Sequence, residues 1–199
     1  MIRDHLIPAF RATLVTLLVT GVAYPLLCTG LAQVLFPSRA NGSLLHDDAG
    51  RAVGSSLIGQ GFAAPGYFQP RPSAAGDKGF DANNSSGSNL GPTSKKLRDR
   101  VTADVARLKA ANPDASGEVP AELVTTSASG LDPHLSPEAV RWQLLRVAHS
   151  RGVSPERIAP LIEDQLEGRD FGFLGEPRVN VLLLNLALDR LLGNPRPPH

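Results

Sequence analysis

Cysteine and aromatic residues are scarce in this 199-residue chain, and neither sign of charge dominates. Cys28 is the only cysteine, which excludes an intrachain disulfide and a zinc site built from thiolates. The formal net charge is +1, so overall charge favours neither nucleic acid nor a broad anionic surface as a partner. Folded parts of the chain must therefore be stabilised by their apolar cores.

Motifs of the common catalytic classes are also missing from the sequence. It contains no G-x-x-x-x-G-K-[ST] phosphate loop, no G-x-S-x-G nucleophile elbow and no closely spaced histidine pair. Asp77-Lys78-Gly79 only partly matches the D-K-T-G-T sequence of P-type pumps, because both threonines are missing, and is interpreted as a turn. The sequence predicts no catalytic residue, no metal ligand and no firmly bound cofactor.

One long apolar stretch is present. Residues 12–36 read ATLVTLLVTGVAYPLLCTGLAQVLF and contain no charged side chain. As a helix they measure about 37 Å, which exceeds the roughly 30 Å hydrocarbon core of a bilayer. A cleaved signal peptide has a shorter apolar region and a small-residue cleavage site, which this stretch lacks. The pattern therefore predicts a transmembrane helix over 12–36.

Three residues of this helix predict a membrane-packing surface. Pro25 lacks the N–H that would bond to the carbonyl of Gly21, and its ring crowds that carbonyl. Gly21 and Gly30 leave backbone exposed, as is typical of helices that pack against other helices in a membrane. We therefore expect the span to have a helical partner.

Basic residues bias the orientation of the span. Arg3 and Arg11 precede it with a single acid, Asp4. The positive-inside rule then places residues 1–11 in the cytoplasm, and a long following domain is translocated largely regardless of its charge. Residues 37–199 are predicted to form an extracytoplasmic domain.

Within that domain, periodicity and turn chemistry predict one hairpin, four helices and one strand. The predicted hairpin joins 43–46 and 51–58, the helices cover 92–111, 136–152, 154–168 and 179–192, and the strand covers 123–126. The predicted fold is one N-terminal transmembrane helix followed by a single helix-rich α+β domain.

Glycine, proline, serine and asparagine dominate residues 59–92, which predicts irregular backbone and tight turns. Aromatic residues are spaced through this segment, whereas a disordered linker is poorer in them. We therefore predict an ordered loop pinned by aromatic side chains, and a candidate docking surface. Its candidate docking residues are Gln60, Phe62, Tyr67, Phe68, Arg71, Ser88 and Asn89.

Short sequence blocks recur in a specific order from the span to about Leu191. They include Asn41-Gly42-Ser43-Leu44, Gly54-Ser55-Ser56-Leu57-Ile58-Gly59-Gln60, Gly66-Tyr67-Phe68, Arg71-Pro72-Ser73-Ala74, Gly87-Ser88-Asn89-Leu90, Ala110-Ala111-Asn112-Pro113-Asp114, Ser127-Ala128-Ser129-Gly130-Leu131-Asp132, Arg178-Val179-Asn180-Val181 and Leu184-Asn185-Leu186-Ala187-Leu188-Asp189. This ordered series resembles the KdpC family, which belongs to the Kdp-type potassium-transporting P-type ATPase.

The resemblance implies a non-catalytic accessory subunit of a potassium uptake complex in the bacterial inner membrane. Its implied partners are a channel-like potassium-binding subunit, a P-type ATP-hydrolysing subunit, a small single-span subunit and the lipid bilayer, with no role for nucleic acid. Its implied tasks are to stabilise assembly and to act as a catalytic chaperone that raises the pump's ATP affinity. ATP and potassium would be handled by the complex.

The resemblance also implies a nucleotide contact at Ser127, Ser129, Gly130 and Asp132. The predicted topology opposes direct contact, because ATP is cytoplasmic and these residues are predicted to lie on the other side. Linkage through the pump's conformation remains open. The alternative functions are a membrane-anchored periplasmic ligand-binding module and a membrane-anchored enzyme.

Overall fold

A computed structural model describes residues 2–47 and 50–195. The chain divides into two compact units, Met1–Val53 and Gly54–His199.

The first unit is mainly helical. Its elements are α1 (Ile2–Leu18), a π-helical turn (Val19–Ala23), α2 (Tyr24–Leu35), α3 (Pro37–Ala40) and β1 (Leu44–His46). Among the described residues, Arg3–Leu35 is the one helix long and apolar enough to cross a membrane, with a mean hydropathy of 1.9. The prediction of a single candidate transmembrane helix is therefore confirmed.

The predicted hairpin is also present. Strand β1 pairs with β2 (Ala52–Ser55), and the boundary between the two units falls within β2. The second strand ends earlier than predicted, because the N–H of Ile58 turns back to the carbonyl of Ser55. Asp48 and Ala49 of the predicted turn lie outside the described residues.

The second unit contains four helices and a small sheet. The helices are α4 (Lys95–Ala111), α5 (Pro137–Arg151), α6 (Pro155–Asp164) and α7 (Val181–Leu192), and the strands are β3 (His134–Leu135), β4 (Leu166–Glu167) and β5 (Arg178–Asn180). The sheet is antiparallel in the order β3-β5-β4, with Leu135 and Leu166 both opposite Val179. The predicted α+β class is confirmed.

Side-chain caps explain where three of these helices begin. Ser94, Ser136 and Asn180 each accept a hydrogen bond from a backbone N–H in the first turn of α4, α5 and α7. Helix α5 ends at Gly152, whose φ of +65° is readily adopted only by glycine.

The predicted strand over 123–126 is wrong. Residues Ala121–Leu123 form a 3-10 turn, in which the N–H groups of Leu123 and Val124 bond to the carbonyls of Pro120 and Ala121. Leu123 and Val124 are buried in the core, so their apolar character reflects packing and not strand pairing.

Three predicted helix boundaries also need correction. Helix α4 begins at Lys95 because Ser94, and not Pro92, is its cap. Helix α6 ends at Asp164 because β4 follows, and α7 begins at Val181 because the preceding residues pair in β5. These strands are not predicted from the sequence, because two or three residues are too few to show an alternating pattern.

Helix α7 lies at the centre of the core, as predicted. Leu184 and Leu188 of α7 are completely buried, together with Val147 of α5 and Ile158 of α6. Helix α6 packs against both α5 and α7. The core thereby presents the polar side chains of α5 and α7 to the 59–92 loop.

Candidate functional site

The predicted membrane-packing residues lie where the long helix is irregular. Pro25 occupies the first turn of α2, directly after the π-helical turn that contains Gly21. The N–H of Tyr24 bonds to the carbonyl of Val19, five residues back. A π-turn is a common response of a helix to a local break in its hydrogen bonding, which Pro25 causes.

Gly30 presents the most open surface of this helix. A Cβ added at Gly30 would meet no atom within 4 Å, whereas one at Gly21 would meet Leu17 Cδ1 at 3.4 Å. The polar side chains are partly used inside the unit, since Thr20 donates to the carbonyl of Thr16. The role of this surface in packing remains a prediction.

In the second unit, the 59–92 loop is fixed by two buried amide clamps. Asn185 of α7 accepts from the N–H of Phe68 and donates to its carbonyl, both at 2.9 Å. Gln143 of α5 does the same for Gln69, at 2.8 and 3.1 Å. Both side chains therefore act as a neighbouring strand would, and they hold the loop on the core.

Arg146 extends this connection without a carboxylate partner. Its guanidinium donates to Asn112 Oδ1 at 2.8 Å, to Gln143 Oε1 at 2.7 Å and to the carbonyls of Pro65 and Tyr67. Burial lowers its pKa to about 10, so the side chain stays charged at neutral pH. Four neutral oxygens thus compensate a largely desolvated charge.

Arg151 and Asp189 form a second anchor beside the first. Arg151 is nearly fully buried; it pairs with Asp189 at 2.8 Å and donates to the carbonyls of Gly66 and Gly193. The guanidinium also lies 5.1 Å from the ring centre of Tyr67, whose hydroxyl donates to Asp189 at 2.8 Å. Burial, assisted by this hydrogen bond, raises the pKa of Tyr67 to about 12.

These contacts show what the candidate docking residues do inside the fold. Phe68 is completely buried, and Phe62 packs on Tyr67 with ring centres 5.2 Å apart. The aromatic side chains therefore pin an ordered loop, as predicted. Phe68 cannot contact a partner directly. Of the remaining candidates, Asn89 is exposed, with Gln60, Arg71 and Ser88 partly so.

The Ser127–Asp132 stretch packs against the same loop. Gly130 has a φ of +67°, and a Cβ there would meet the carbonyl oxygen of Ser86 and the nitrogen of Ala75 at 2.8 Å. Ser73 also donates to the carbonyl of Gly130 at 2.6 Å. Glycine at this position is therefore required by a close backbone approach.

The side chain of Asp132 is already bonded within the fold. It accepts from the N–H of His134 at 3.0 Å and pairs with Arg71 at 3.3 Å. Burial raises its pKa, but the hydrogen bonds from His134 and the charge of Arg71 outweigh burial and lower the pKa overall. The predicted turn at Asp132–His134 is confirmed.

A shallow depression of about 570 Å³ adjoins this stretch. Its lining consists of Leu57, Ile58, Ser127, Ala128, Ser129, Leu131, Asp132 and Pro133. The lining offers two serine hydroxyls and an apolar floor, while its one charged residue is an acid. Such a surface suits an apolar or hydroxylated group better than a triphosphate, which needs cations or a helix N-terminus.

The polar residues that build the clamps are not predicted from the sequence. Asn185 is an amide in an otherwise apolar helix, while Gln143 and Arg146 lie among buried residues of α5. A buried polar residue needs a specific partner, which is the signal that could have singled them out. Their partners lie 74 to 117 residues away, so the sequence does not identify them.

Comparisons with known proteins agree on one family. The family model described as "KdpC: K+-transporting ATPase, c chain" matches residues 6–190. The chain is 65% identical over 185 residues to a Potassium-transporting ATPase KdpC subunit of Myxococcus xanthus, covering 93% of this chain and 87% of the relative. It is 51% identical over 196 residues to the protein of the same name from Koribacter versatilis, covering 98% and 99%.

Proposed function

This chain belongs to the KdpC family of potassium-transporting ATPases, and from that premise we propose that it stabilises assembly of the complex without catalysing a reaction. Its proposed partners are the channel-like potassium-binding subunit, the ATP-hydrolysing subunit and the small single-span subunit. The observation that carries this proposal is the apolar helix Arg3–Leu35, whose side chains are exposed almost throughout.

The helix supports a role in assembly as well as in anchoring. An anchor surrounded only by lipid gains nothing from a break in its hydrogen bonding or from an open glycine. Both features let another helix approach the backbone closely. The π-helical turn before Pro25 and the open face at Gly30 are therefore proposed as the contact with a membrane helix of the complex.

A truncation and a span replacement together test this role. Removing residues 1–36 is expected to leave a folded soluble fragment that does not assemble, because the fragment contains the whole core. Replacing residues 12–36 with an unrelated single span of equal length restores anchoring but not the packing surface. We expect the replaced chain to copurify poorly with the ATP-hydrolysing subunit. Full potassium uptake by cells that contain only the truncated fragment would contradict the proposal.

The proposed location is the bacterial inner membrane, with residues 1–11 in the cytoplasm and 37–199 in the periplasm. The basic residues before the span support this orientation. Protease added outside spheroplasts is therefore expected to digest most of the chain, with a cytoplasmic protein of the same cells as the control. A protected, cytosolic domain would contradict both the orientation and the proposed task.

Any effect on ATP affinity is proposed to be indirect. The Ser127–Asp132 depression has an acidic residue and no basic one in its lining, which disfavours a triphosphate. A subunit that binds one pump conformation better than another changes ATP affinity by linkage, and a tenfold change needs about 1.4 kcal/mol of preference.

A serine double variant separates direct contact from indirect coupling. Changing Ser127 and Ser129 to alanine removes the hydroxyls of the depression, while the contacts of Gly130 and Asp132 with the loop remain. The KM for ATP of the purified complex is expected to stay within about twofold. A shift of tenfold or more in this KM would favour direct contact instead.

A further inference from the structure

An exposed apolar hairpin tip projects from the small sheet of the second unit. The segment Asp170–Leu174, here called the phenylalanine finger, lies between strands β4 and β5. Phe171 is 89% exposed, Phe173 70% and Leu174 49%. Outside the apolar helix of the first unit, these two rings are the most exposed large apolar side chains of the described residues.

The finger is a defined structure and not a loose loop. The N–H of Asp170 bonds to the carbonyl of Leu174 and the N–H of Leu174 bonds back to the carbonyl of Asp170, both at 2.9 Å. Phe171 has a φ of +53°, a conformation that is unfavourable for a bulky side chain. Strained residues of this kind concentrate at functional sites. The hairpin therefore holds two phenyl rings in water at a cost in stability.

Ion pairs fix the base of the finger to the sheet. Arg169 pairs with Glu176 at 2.6 Å, and Arg178 pairs with Glu167 at 2.9 Å and with Asp170 at 3.5 Å. These two basic and three acidic side chains give the base a formal charge of −1. Both cations are already paired with acids of the same hairpin.

We propose that the phenylalanine finger inserts its two rings into an apolar recess on another subunit of the potassium-transporting ATPase. This inference rests on the proposed function, because it takes the other subunits as the available partners. It assigns a docking contact to the soluble unit, in addition to the contact proposed for the span.

The charges of the hairpin favour a protein recess over a lipid surface. Segments that lie on membranes combine apolar side chains with free lysine or arginine, which attract anionic headgroups. The base of this finger is slightly acidic, and its arginines are engaged in ion pairs. An apolar recess needs no such cations, because burial of the rings supplies the attraction.

The size of the finger also suits a docking anchor. Phenylalanine side chains bury roughly 150–250 Å² each, so the two rings would supply about half of the 800 Å² that one partner buries in a standard interface. Rigid aromatic anchors seated in pockets carry most of the binding energy of such interfaces. We therefore expect loss of both rings to weaken docking about 30-fold.

A photocrosslinking experiment on the full chain in its membrane identifies what the finger contacts. p-Benzoylphenylalanine placed at Phe171 keeps an aromatic ring at the tip, and the same group at Lys96, on the exposed face of α4, serves as the positional control. Irradiation is expected to join position 171 to another ATPase subunit, identified by mass spectrometry. A product with lipid alone, with a second copy of this chain, or no product at all would overturn the proposal.

A serine double variant then measures the contribution of the rings. F171S/F173S is expected to dissociate from the tagged ATP-hydrolysing subunit at about 30-fold lower dilution than the wild type, while L191S, at an exposed leucine of α7, dissociates like the wild type. Equal retention of F171S/F173S and L191S would overturn the finger's role but leave the proposed function intact. Failure of the wild-type chain itself to copurify would overturn both.

Discussion

Replacing Asn185 by leucine is the most direct test of how the 59–92 loop is held. Asn185 is 1% exposed and bonds to both backbone groups of Phe68. Leucine fills a similar volume but can neither donate nor accept. The variant therefore leaves a buried N–H and a buried carbonyl without their partner, while the apolar packing of α7 is kept.

The expected loss follows from those two groups. Each buried backbone group without a partner costs about 1–3 kcal/mol, so Asn185→Leu is expected to lower the free energy of unfolding by about 3–5 kcal/mol. With a urea m-value of about 2 kcal/mol/M, the unfolding midpoint falls by about 2 M. The measurement is urea unfolding of the fragment 37–199, followed by circular dichroism.

Asn83→Leu is the matched control, because Asn83 lies in the same loop and is exposed. Its midpoint is expected to shift by less than about 0.5 kcal/mol equivalent. If Asn185→Leu unfolds at the wild-type midpoint, the clamp does not stabilise the loop. The reasoning about Gln143 would then fail with it.

Three further variants test other contacts of the loop. Because the pKa of Tyr67 is raised from 10.0 to about 12, folded protein keeps this proton where unfolded chain releases it; wild-type stability should fall from pH 10 to 12, and Tyr67→Phe should flatten that fall in urea titrations. Gly130→Ala should cost about 2–5 kcal/mol, and Gly152→Ala, also left-handed but with open space, about 1 kcal/mol by urea unfolding. Arg146→Lys should cost about 2 kcal/mol in the same assay, because an ammonium cannot reach all four oxygens.

The sequence predicts the helices of the second unit better than its strands. Serine followed by proline and glutamate marks the start of α5 because capping is a local interaction, and Gly152 marks its end for the same reason. Strand β5 is local in neither sense, because its residues pair with β3 and β4, distant in sequence. The strand predicted at Leu123 and Val124 is wrong because burial and strand pairing favour the same apolar residues.

The candidate site shows the same division. Composition correctly predicts an ordered, aromatic-pinned loop over 59–92, since aromatic residues are uncommon in disordered segments. Phe68 is nevertheless among the predicted docking residues, although it is buried against the core. The exposed rings of Phe171 and Phe173 are not predicted, because two phenylalanines in a short loop resemble core residues until their exposure is known.

The internal contacts of the second unit restrict how this protein can influence ATP affinity. The clamps of Asn185 and Gln143 and the ion pair of Arg151 fix the loop to the helices, so a change inside the unit must break buried polar contacts. A surface contact that differs between two pump conformations is a smaller change. A tenfold effect on ATP affinity needs about 1.4 kcal/mol, which is within the contribution of one phenyl ring seated in one conformation and partly withdrawn in another. If the finger does this, F171S/F173S should change the KM for ATP of those complexes that still assemble, whereas L191S should not.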